Sequence, residues 1–230
     1  MKPWLVEQWC LAPTADPEFV WRMEDVLSVY ARPYDPARPV VCLDETSRQL
    51  LGEVRPPAPA EPGQPARFDP EYVRNGVANC FLATEPLRGW RAATVSERRT
   101  RLDFAACIKE LVDTHYPEAE RIVLVLDQLN THSPASLYLA FPATEAKRLA
   151  DKLEIHHTPK HGSWLNMAEL ELSVLERQCL RQRLPDRETM EREITAWADR
   201  RNAQTRRIDW QFTTADARIK LRRLYPAFED

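Results

Sequence analysis

Residues 121–127 read Arg-Ile-Val-Leu-Val-Leu-Asp, and this stretch decides the fold. Five apolar residues in a row with a charged residue at each end predict a short buried strand. A similar run at residues 39–43 passes directly into Asp44 and Glu45. Each predicted strand therefore ends in a carboxylate, at the point where side chains of an α/β sheet emerge into a crevice.

The segments around these two runs complete a layered α/β sheet. Apolar runs at 76–83 and 90–95, joined by a tight turn at 85–89, predict a hairpin, and residues 153–158 predict a fifth strand that Pro159 ends. Helical periodicity is found at residues 100–116, 136–152 (divided by Pro142), 163–180 and 186–202. Three antiparallel strands followed by two parallel strands with crossover helices predict a mixed sheet flanked by helices.

Proline-rich stretches divide the chain. Residues 32–39 and 54–70 are too rich in proline to form a helix or a central strand. The first ends an N-terminal arm and linker, residues 1–38, and the second is a surface loop inserted into the main domain, residues 39–203. Residues 204–230 are predicted to form a basic tail. Within the arm, helical spacing predicts a helix that packs on the main domain through Phe19, Met23, Val26 and Leu27.

The composition excludes several classes of protein. With 230 residues, of which 43% are hydrophobic and 29% charged, the chain is expected to be globular rather than disordered. No apolar run approaches the ~18 residues of a membrane span, and no apolar signal stretch follows the first residues. The five scattered cysteines contain no C-x-x-C pair, which excludes a zinc ribbon and favours buried, reduced thiols in the cytoplasm.

Asp44 and Asp127 are candidates for a shared site because the sheet order can place their strand ends side by side. Paired carboxylates hold divalent metal ions or perform general acid–base chemistry. The alternative is that each aspartate caps the turn that follows its strand. A third acid would come from the helix predicted at 163–180, but the helical wheel does not separate Glu169 from Glu171.

Three sequence motifs resemble the catalytic blocks of mariner-related DDE transposases, specifically those of the bacterial insertion-sequence-630 family. The motifs are V-x-L-D-E at 41–45, V-L-V-L-D-Q-L-N-T-H at 123–132 and T-P-K-H-G-S-W-L-N-M-A-E-L at 158–170. The resemblance covers about residues 3–225 and implies a ribonuclease-H-like fold. It also implies that Asp44, Asp127 and Glu169 are the catalytic acids and bind two Mg²⁺ ions, for which Mn²⁺ is expected to substitute.

The same resemblance implies a reaction and its partners. The expected reaction is metal-dependent cleavage of double-stranded DNA at the ends of an insertion sequence, followed by joining of the freed 3′-OH to target DNA. The expected partners are the terminal repeats, a TA target and a second copy of the chain on DNA, in association with the bacterial nucleoid. Two metal ions ~4 Å apart suit this chemistry because they clamp the entering and leaving oxygens of an in-line displacement.

The sequence departs from the family in two ways. Gln128 stands where the family usually has Asn, and its longer side chain is expected to alter the surroundings of Asp127. Relatives of full length carry an N-terminal helix-turn-helix region that reads the element ends, and residues 1–38 are too short for it. The chain is therefore expected to be the catalytic half of a split or truncated gene, with a separate helix-turn-helix partner chain. The alternative is an inactive or accessory DNA-binding remnant.

Other polar residues in or near the three motifs are further candidates for the site. His132 matches a family histidine and is predicted to support the metal ligands or to contact DNA, with a purely structural role as the alternative. Lys160, His161 and Asn166 flank the third acid and are candidates either for supporting the metal ligands or for contacting phosphate. Zinc binding by the three nearby histidines is not expected, because strand neighbours point to opposite faces and Pro159 interrupts helical spacing.

The C-terminal part of the chain is basic. Residues 177–223 contain 13 Lys or Arg and 7 Asp or Glu, whereas the whole chain has a net charge of −3. Such asymmetry indicates a polyanionic partner, although mixed charges on solvated helices are the alternative. The candidates for DNA contact are Arg200, Arg201, Arg206 and Arg207.

Overall fold

The computed structural model describes residues 15–227, which form one five-stranded sheet in the order β3-β2-β1-β4-β5. The strands are β1 (Val40–Glu53), β2 (Tyr72–Glu85), β3 (Trp90–Ser96), β4 (Ile122–Leu126) and β5 (Leu153–His157). The pairs β1–β2 and β2–β3 are antiparallel, and the pairs β1–β4 and β4–β5 are parallel. The predicted mixed sheet is confirmed.

The helices flank this sheet. They are α1 (Pro17–Tyr30), α2 (Arg101–Glu110), α3 (Ala135–Ala140), α4 (Ala143–Asp151), α5 (Met167–Leu175), α6 (Arg187–Ala203) and α7 (Thr214–Lys220). The division of residues 136–152 at Pro142 is confirmed, because Pro142 ends the gap between α3 and α4. The helix expected at 163–180 is wrong at its start, because the α-helix begins only at Met167. Asn166 caps the start of α5, and a 3₁₀ turn (Ser163–Leu165) precedes this cap. At its other end, α5 continues into a π turn (Glu176–Leu180).

The hairpin formed by β1 and β2 is longer than the apolar runs at 39–43 and 76–83 indicate. Its pairing continues to Glu53 opposite Tyr72, because antiparallel partners satisfy each other's backbone groups even where side chains are exposed. Asp44 therefore lies within β1 and not at its end, which corrects the expectation. Only the parallel pairing with β4 stops near it, at Cys42 opposite Val125. The proline-rich connection folds back on itself through isolated bridges such as Ala58 to Arg67.

Alternation along β1 assigns its side chains to two cores. Val41 and Leu43 pack with α2, α3 and α4 on one face of the sheet. Cys42 packs with α1, α5 and α7 on the other face. Farther along the hairpin, Leu82 of β2 packs with α6 and the π turn on this second face. Asp44 and Glu45 continue the alternation, so their side chains enter different environments.

Both ends of the described chain pack on the sheet. The predicted arm contains α1, whose apolar residues, including Met23 and Val26, are buried against β1 and β4. Part of the predicted basic tail is folded: residues 214–224 contain α7 and a 3₁₀ turn, and Leu224 is buried in the same core.

The predicted buried thiols are present in the described chain. Cys42, Cys80, Cys107 and Cys179 are free and buried, and Cys10 lies outside the described residues. Among residues 15–227, no helix has the length and apolar character needed to cross a membrane.

Candidate active site

Asp44 and Asp127 lie side by side on neighbouring parallel strands. The register pairs Cys42 with Val125, and each acid is two residues farther along its chain. This register brings Asp127 close enough to Asp44 for its charge to contribute to the raised pKa of Asp44. Asp127 directly follows β4, at the carboxyl end of the parallel part of the sheet. The predicted juxtaposition of these two acids is therefore present.

The Asp44 carboxylate is held in a buried and electronegative position. Its side chain is on the face covered by α1 and α5, and the residue is only 8% exposed. Its Oδ1 accepts a hydrogen bond from the Glu45 N–H at 2.8 Å. Burial, together with the negative charges of Glu169, Glu45 and Asp127, outweighs that bond and raises the pKa of Asp44 to about 7. Negative charge is thus concentrated here, and among residues 15–227 no Lys or Arg forms an ion pair with Asp44.

The structure separates Glu169 from Glu171, which the helical wheel left open. Glu169 lies in the first turn of α5, is partly exposed, and is close enough to Asp44 to influence its pKa. Glu171 is 1% exposed and pairs with two arginines: Arg201 Nη2 lies 2.8 Å from Glu171 Oε1, and Arg91 Nε lies 3.3 Å from Glu171 Oε2. The charge of Glu171 is neutralised in a structural network, so Glu169 is the acid available to the site.

Asn166 links the two acids Asp44 and Glu169. Its Nδ2 donates to Leu43 O at 3.0 Å and lies 3.4 Å from Asp44 Oδ2, while its Oδ1 accepts from the Ala168 N–H at 3.1 Å. The side chain is fully buried. Of the two roles predicted for Asn166, contact with phosphate is wrong because the side chain is buried, whereas support of a metal ligand fits its contact with Asp44.

His132 is buried between two carboxylates. Its Nδ1 lies 2.5 Å from Asp127 Oδ1. Its Nε2 lies 3.0 Å from Glu45 Oε2 in an ion-pair contact. Burial disfavours the imidazolium, but the two carboxylates outweigh burial and raise the pKa of His132 to about 9. At 1% exposure His132 cannot contact DNA, and its bond to Asp127 fits the predicted support of a metal ligand.

His132 has the converse effect on Asp127. Burial alone would raise the pKa of this carboxyl group, but the bonds from His132 and from the Leu129 N–H lower it.

Sequence analysis missed Glu45 as the second partner of His132. The available signal was strand alternation, which places Glu45 on the face opposite Asp44 and therefore beside α2, where His132 packs on Phe104.

Gln128 and the turn after β5 form the surroundings of Asp127. Gln128 Nε2 donates to Thr158 O at 2.9 Å, so its amide binds the end of β5 and not Asp127. Lys160 and His161 are exposed on a turn closed by the bond from Gly162 N to Pro159 O, 2.8 Å. His161 has a φ of 61°, a left-handed conformation that is strained for a residue other than glycine.

Comparison with known proteins identifies the family. The profile described as DDE superfamily endonuclease matches residues 39–191, which contain all three acids. The chain belongs to this DDE endonuclease family. No match was found among curated proteins.

Solved structures agree with this DDE endonuclease assignment at the level of the fold. The Mos1 mariner paired end complex with Mn matches with a TM-score of 0.54 and 16% identity, over 87% of this chain and 61% of the Mos1 chain. The Mos1 Strand Transfer Complex matches with a TM-score of 0.54 and 14% identity, over 87% of this chain and 62% of that Mos1 chain. The mariner Mos1 paired end complex with Mg matches with a TM-score of 0.55 and 15% identity, over 96% of this chain and 67% of that Mos1 chain. The sheet is therefore the ribonuclease-H-like fold of Mos1 transposase, and the chain spans about three fifths of the first two Mos1 chains.

The donor set of this DDE endonuclease suits a hard divalent cation, because Asp44, Asp127 and Glu169 offer only carboxylate oxygens. Their shared negative charge, which raises the pKa of Asp44, is what a cation would neutralise. Within the described part of the chain, however, no three His, Cys, Asp or Glu side chains are close enough together to hold a metal ion. Asp127 is turned toward His132, so a cation would have to draw the three acids closer together.

The four C-terminal arginines of the DDE endonuclease do not share one environment. Arg200 and Arg207 are exposed. Arg206 is exposed, and its Nε donates to Gln204 at 3.1 Å. Arg201 is held by Glu171, which corrects the expectation that it is free for phosphate.

Proposed function

We propose that this chain is the catalytic domain of a transposase that cleaves DNA at the ends of a bacterial insertion sequence and joins the freed 3′-OH to target DNA. One observation carries the proposal: Asp44 and Asp127 lie side by side with Glu169 nearby, and the buried Asp44 has no basic partner among the described residues. A divalent cation would neutralise these carboxylates, and phosphodiester cleavage uses such a cation.

Asp44, Asp127 and Glu169 would hold two Mg²⁺ ions, or Mn²⁺ in their place. When bound, these ions supply an activated hydroxyl nucleophile and neutralise the charge that develops on the leaving oxygen. The Mos1 paired end complexes with Mn and with Mg support this assignment of metal by similarity of fold.

The remaining residues of the site orient the acids and contact the substrate. His132 fixes the rotamer of Asp127, and Asn166 fixes α5, and with it Glu169, against β1. Lys160 and His161, exposed on the turn beyond β5, would contact phosphates close to the scissile bond. The exposed arginines Arg200, Arg206 and Arg207 would hold the duplex farther from the acids.

The partners follow from the same proposal. The chain would belong to the insertion-sequence-630 family and act at the nucleoid. Its substrates would be the terminal repeats and a TA target, and the domain would work as a dimer on DNA. A helix-turn-helix region, in this gene or in a separate partner chain, would recognise the element ends. The Mos1 paired end and strand transfer complexes are the related structures that support these steps.

A second candidate is an accessory DNA-binding protein that retains the fold without turnover. It is favoured by one observation, that in residues 15–227 no three metal-ligating side chains stand together.

A strand-transfer assay separates the two candidates. Pre-cleaved terminal-repeat DNA and a TA-containing target are incubated with wild type, Asp127→Asn and the control Asp151→Asn, which alters an exposed aspartate outside the site. The proposal expects joined product from wild type and the control in Mg²⁺ or Mn²⁺, and none from Asp127→Asn. If wild type binds the DNA but yields no product with either ion, the accessory role replaces the enzyme.

A further inference from the structure

Helix α1 lies outside residues 39–191, the region that the family profile matches, yet it packs against the catalytic elements. Its buried side chains share a core with Cys42 of β1 and with Leu165 and Met167, which precede Glu169. This packing brings the last residue of α1, Tyr30, to the segment that leads into α5.

The Tyr30 hydroxyl bonds to the backbone on both sides of Asn166. It donates to Leu165 O at 2.7 Å and accepts from the Met167 N–H at 3.4 Å. Burial raises the pKa of Tyr30 well above its usual value, so the hydroxyl stays protonated and remains a donor. The ring itself packs on Trp210, with centroids 5.3 Å apart, independently of the hydroxyl.

The Asn166 side chain joins the same segment to β1. It bonds to Leu43 O of β1 and lies beside Asp44 Oδ2, as described above. Glu169 is fixed to this segment, because its N–H donates to Asn166 O at 3.0 Å. The start of α5 is therefore clamped between β1, through Asn166, and α1, through Tyr30.

We propose that Tyr30 is a positioning residue for Glu169: its hydroxyl sets the start of α5 relative to Asp44, so that α1 completes the catalytic site. The inference rests on the proposed metal-dependent function. Outer residues that orient metal ligands commonly change metal affinity or activity by about 10- to 100-fold when they are altered. A tyrosine that bonds to the backbone beside a ligand, rather than to the ligand, is expected to lie near the lower end of this range.

The test compares Tyr30→Phe with Tyr225→Phe. Both substitutions remove one tyrosine hydroxyl that joins α1 to another segment, but the Tyr225 hydroxyl binds Glu24, on a different part of α1. The ring of Tyr30→Phe keeps its packing on Trp210. The first measurement is the Mn²⁺ concentration that gives half of the maximal rise in melting temperature. The second is amide hydrogen exchange across the chain.

We expect Tyr30→Phe to need about tenfold more Mn²⁺ than wild type and Tyr225→Phe to need the same within about twofold. Hydrogen exchange in Tyr30→Phe should increase at residues 165–169 and remain unchanged in β4 and α2. Equal Mn²⁺ midpoints for Tyr30→Phe and wild type, equal shifts in both variants, or uniformly faster exchange would each overturn the inference. A wild type that shows no Mn²⁺ response would instead overturn the proposed function.

Discussion

Replacement of Asp44 by Asn should stabilise the metal-free protein at high pH. The folded state holds the Asp44 proton more tightly than the unfolded chain, because its pKa rises from 3.8 to about 7 on folding. The tighter binding of this proton by the folded state contributes fully to the free energy of unfolding below pH 3.8. This contribution is lost as the pH rises from 3.8 through 7. For this one group, the shift predicts a loss of about 2 to 3 kcal/mol between pH 5 and pH 8. Asp44→Asn removes this loss and should stabilise the protein at pH 8 by up to about 4 kcal/mol.

Urea unfolding in EDTA, followed by tryptophan fluorescence at pH 5 and pH 8, measures the difference between wild type and Asp44→Asn. Titrating groups remote from Asp44 are common to both proteins and cancel. Asp127→Asn is the matched control with the opposite sign: because the pKa of Asp127 is lowered, loss of its charge should destabilise the protein at pH 8. Millimolar Mg²⁺ should then stabilise wild type at pH 8 and leave Asp44→Asn almost unchanged. Parallel pH profiles for wild type and Asp44→Asn would refute the buried, electronegative setting assigned to Asp44.

Three further outcomes are expected. Glu169→Gln should abolish DNA cleavage with little change in melting temperature. Glu171→Gln should instead destabilise the fold by about 3 to 5 kcal/mol, because it leaves the buried Arg91 without a carboxylate partner. A cleavage assay and thermal melts together detect a reversal of these roles. His132→Asn should lower the cleavage rate by about 10- to 100-fold, and an unchanged rate would show that Asp127 needs no support. Alanine at both Arg200 and Arg207 should reduce the log–log salt slope of DNA binding by about 1.8, and an unchanged slope would place the DNA on another surface.

Local sequence was sufficient to predict the sheet. Five consecutive apolar residues at 122–126 can be buried on both faces only as a central parallel strand, and the structure places β4 between β1 and β5. The length of the β1–β2 hairpin was not predictable in this way. Its distal half is held by backbone pairing while the side chains of residues 72–77 are exposed, so no burial pattern marks it.

The choice between Glu169 and Glu171 shows why residue roles within the site required the structure. Both acids lie two residues apart on one amphipathic segment, and the partners that distinguish them, Arg91 and Arg201, are 80 and 30 residues away in sequence. The resemblance to the transposase family selected Glu169, and the geometry supplies the physical reason. For the same reason, the ion pair of Arg201 could not be predicted from the charge of the C-terminal segment, since its partner Glu171 lies outside that segment.

Anomalous diffraction tests the central claim most directly. Crystals of the chain with terminal-repeat DNA and Mn²⁺ should show two anomalous peaks about 4 Å apart, bounded by the carboxylates of Asp44, Asp127 and Glu169. The same crystals of Asp44→Asn should lose both peaks or retain only one of them. Ordered DNA with no manganese at these three acids, or manganese bound elsewhere on the chain, would contradict the assignment of this site as the catalytic centre.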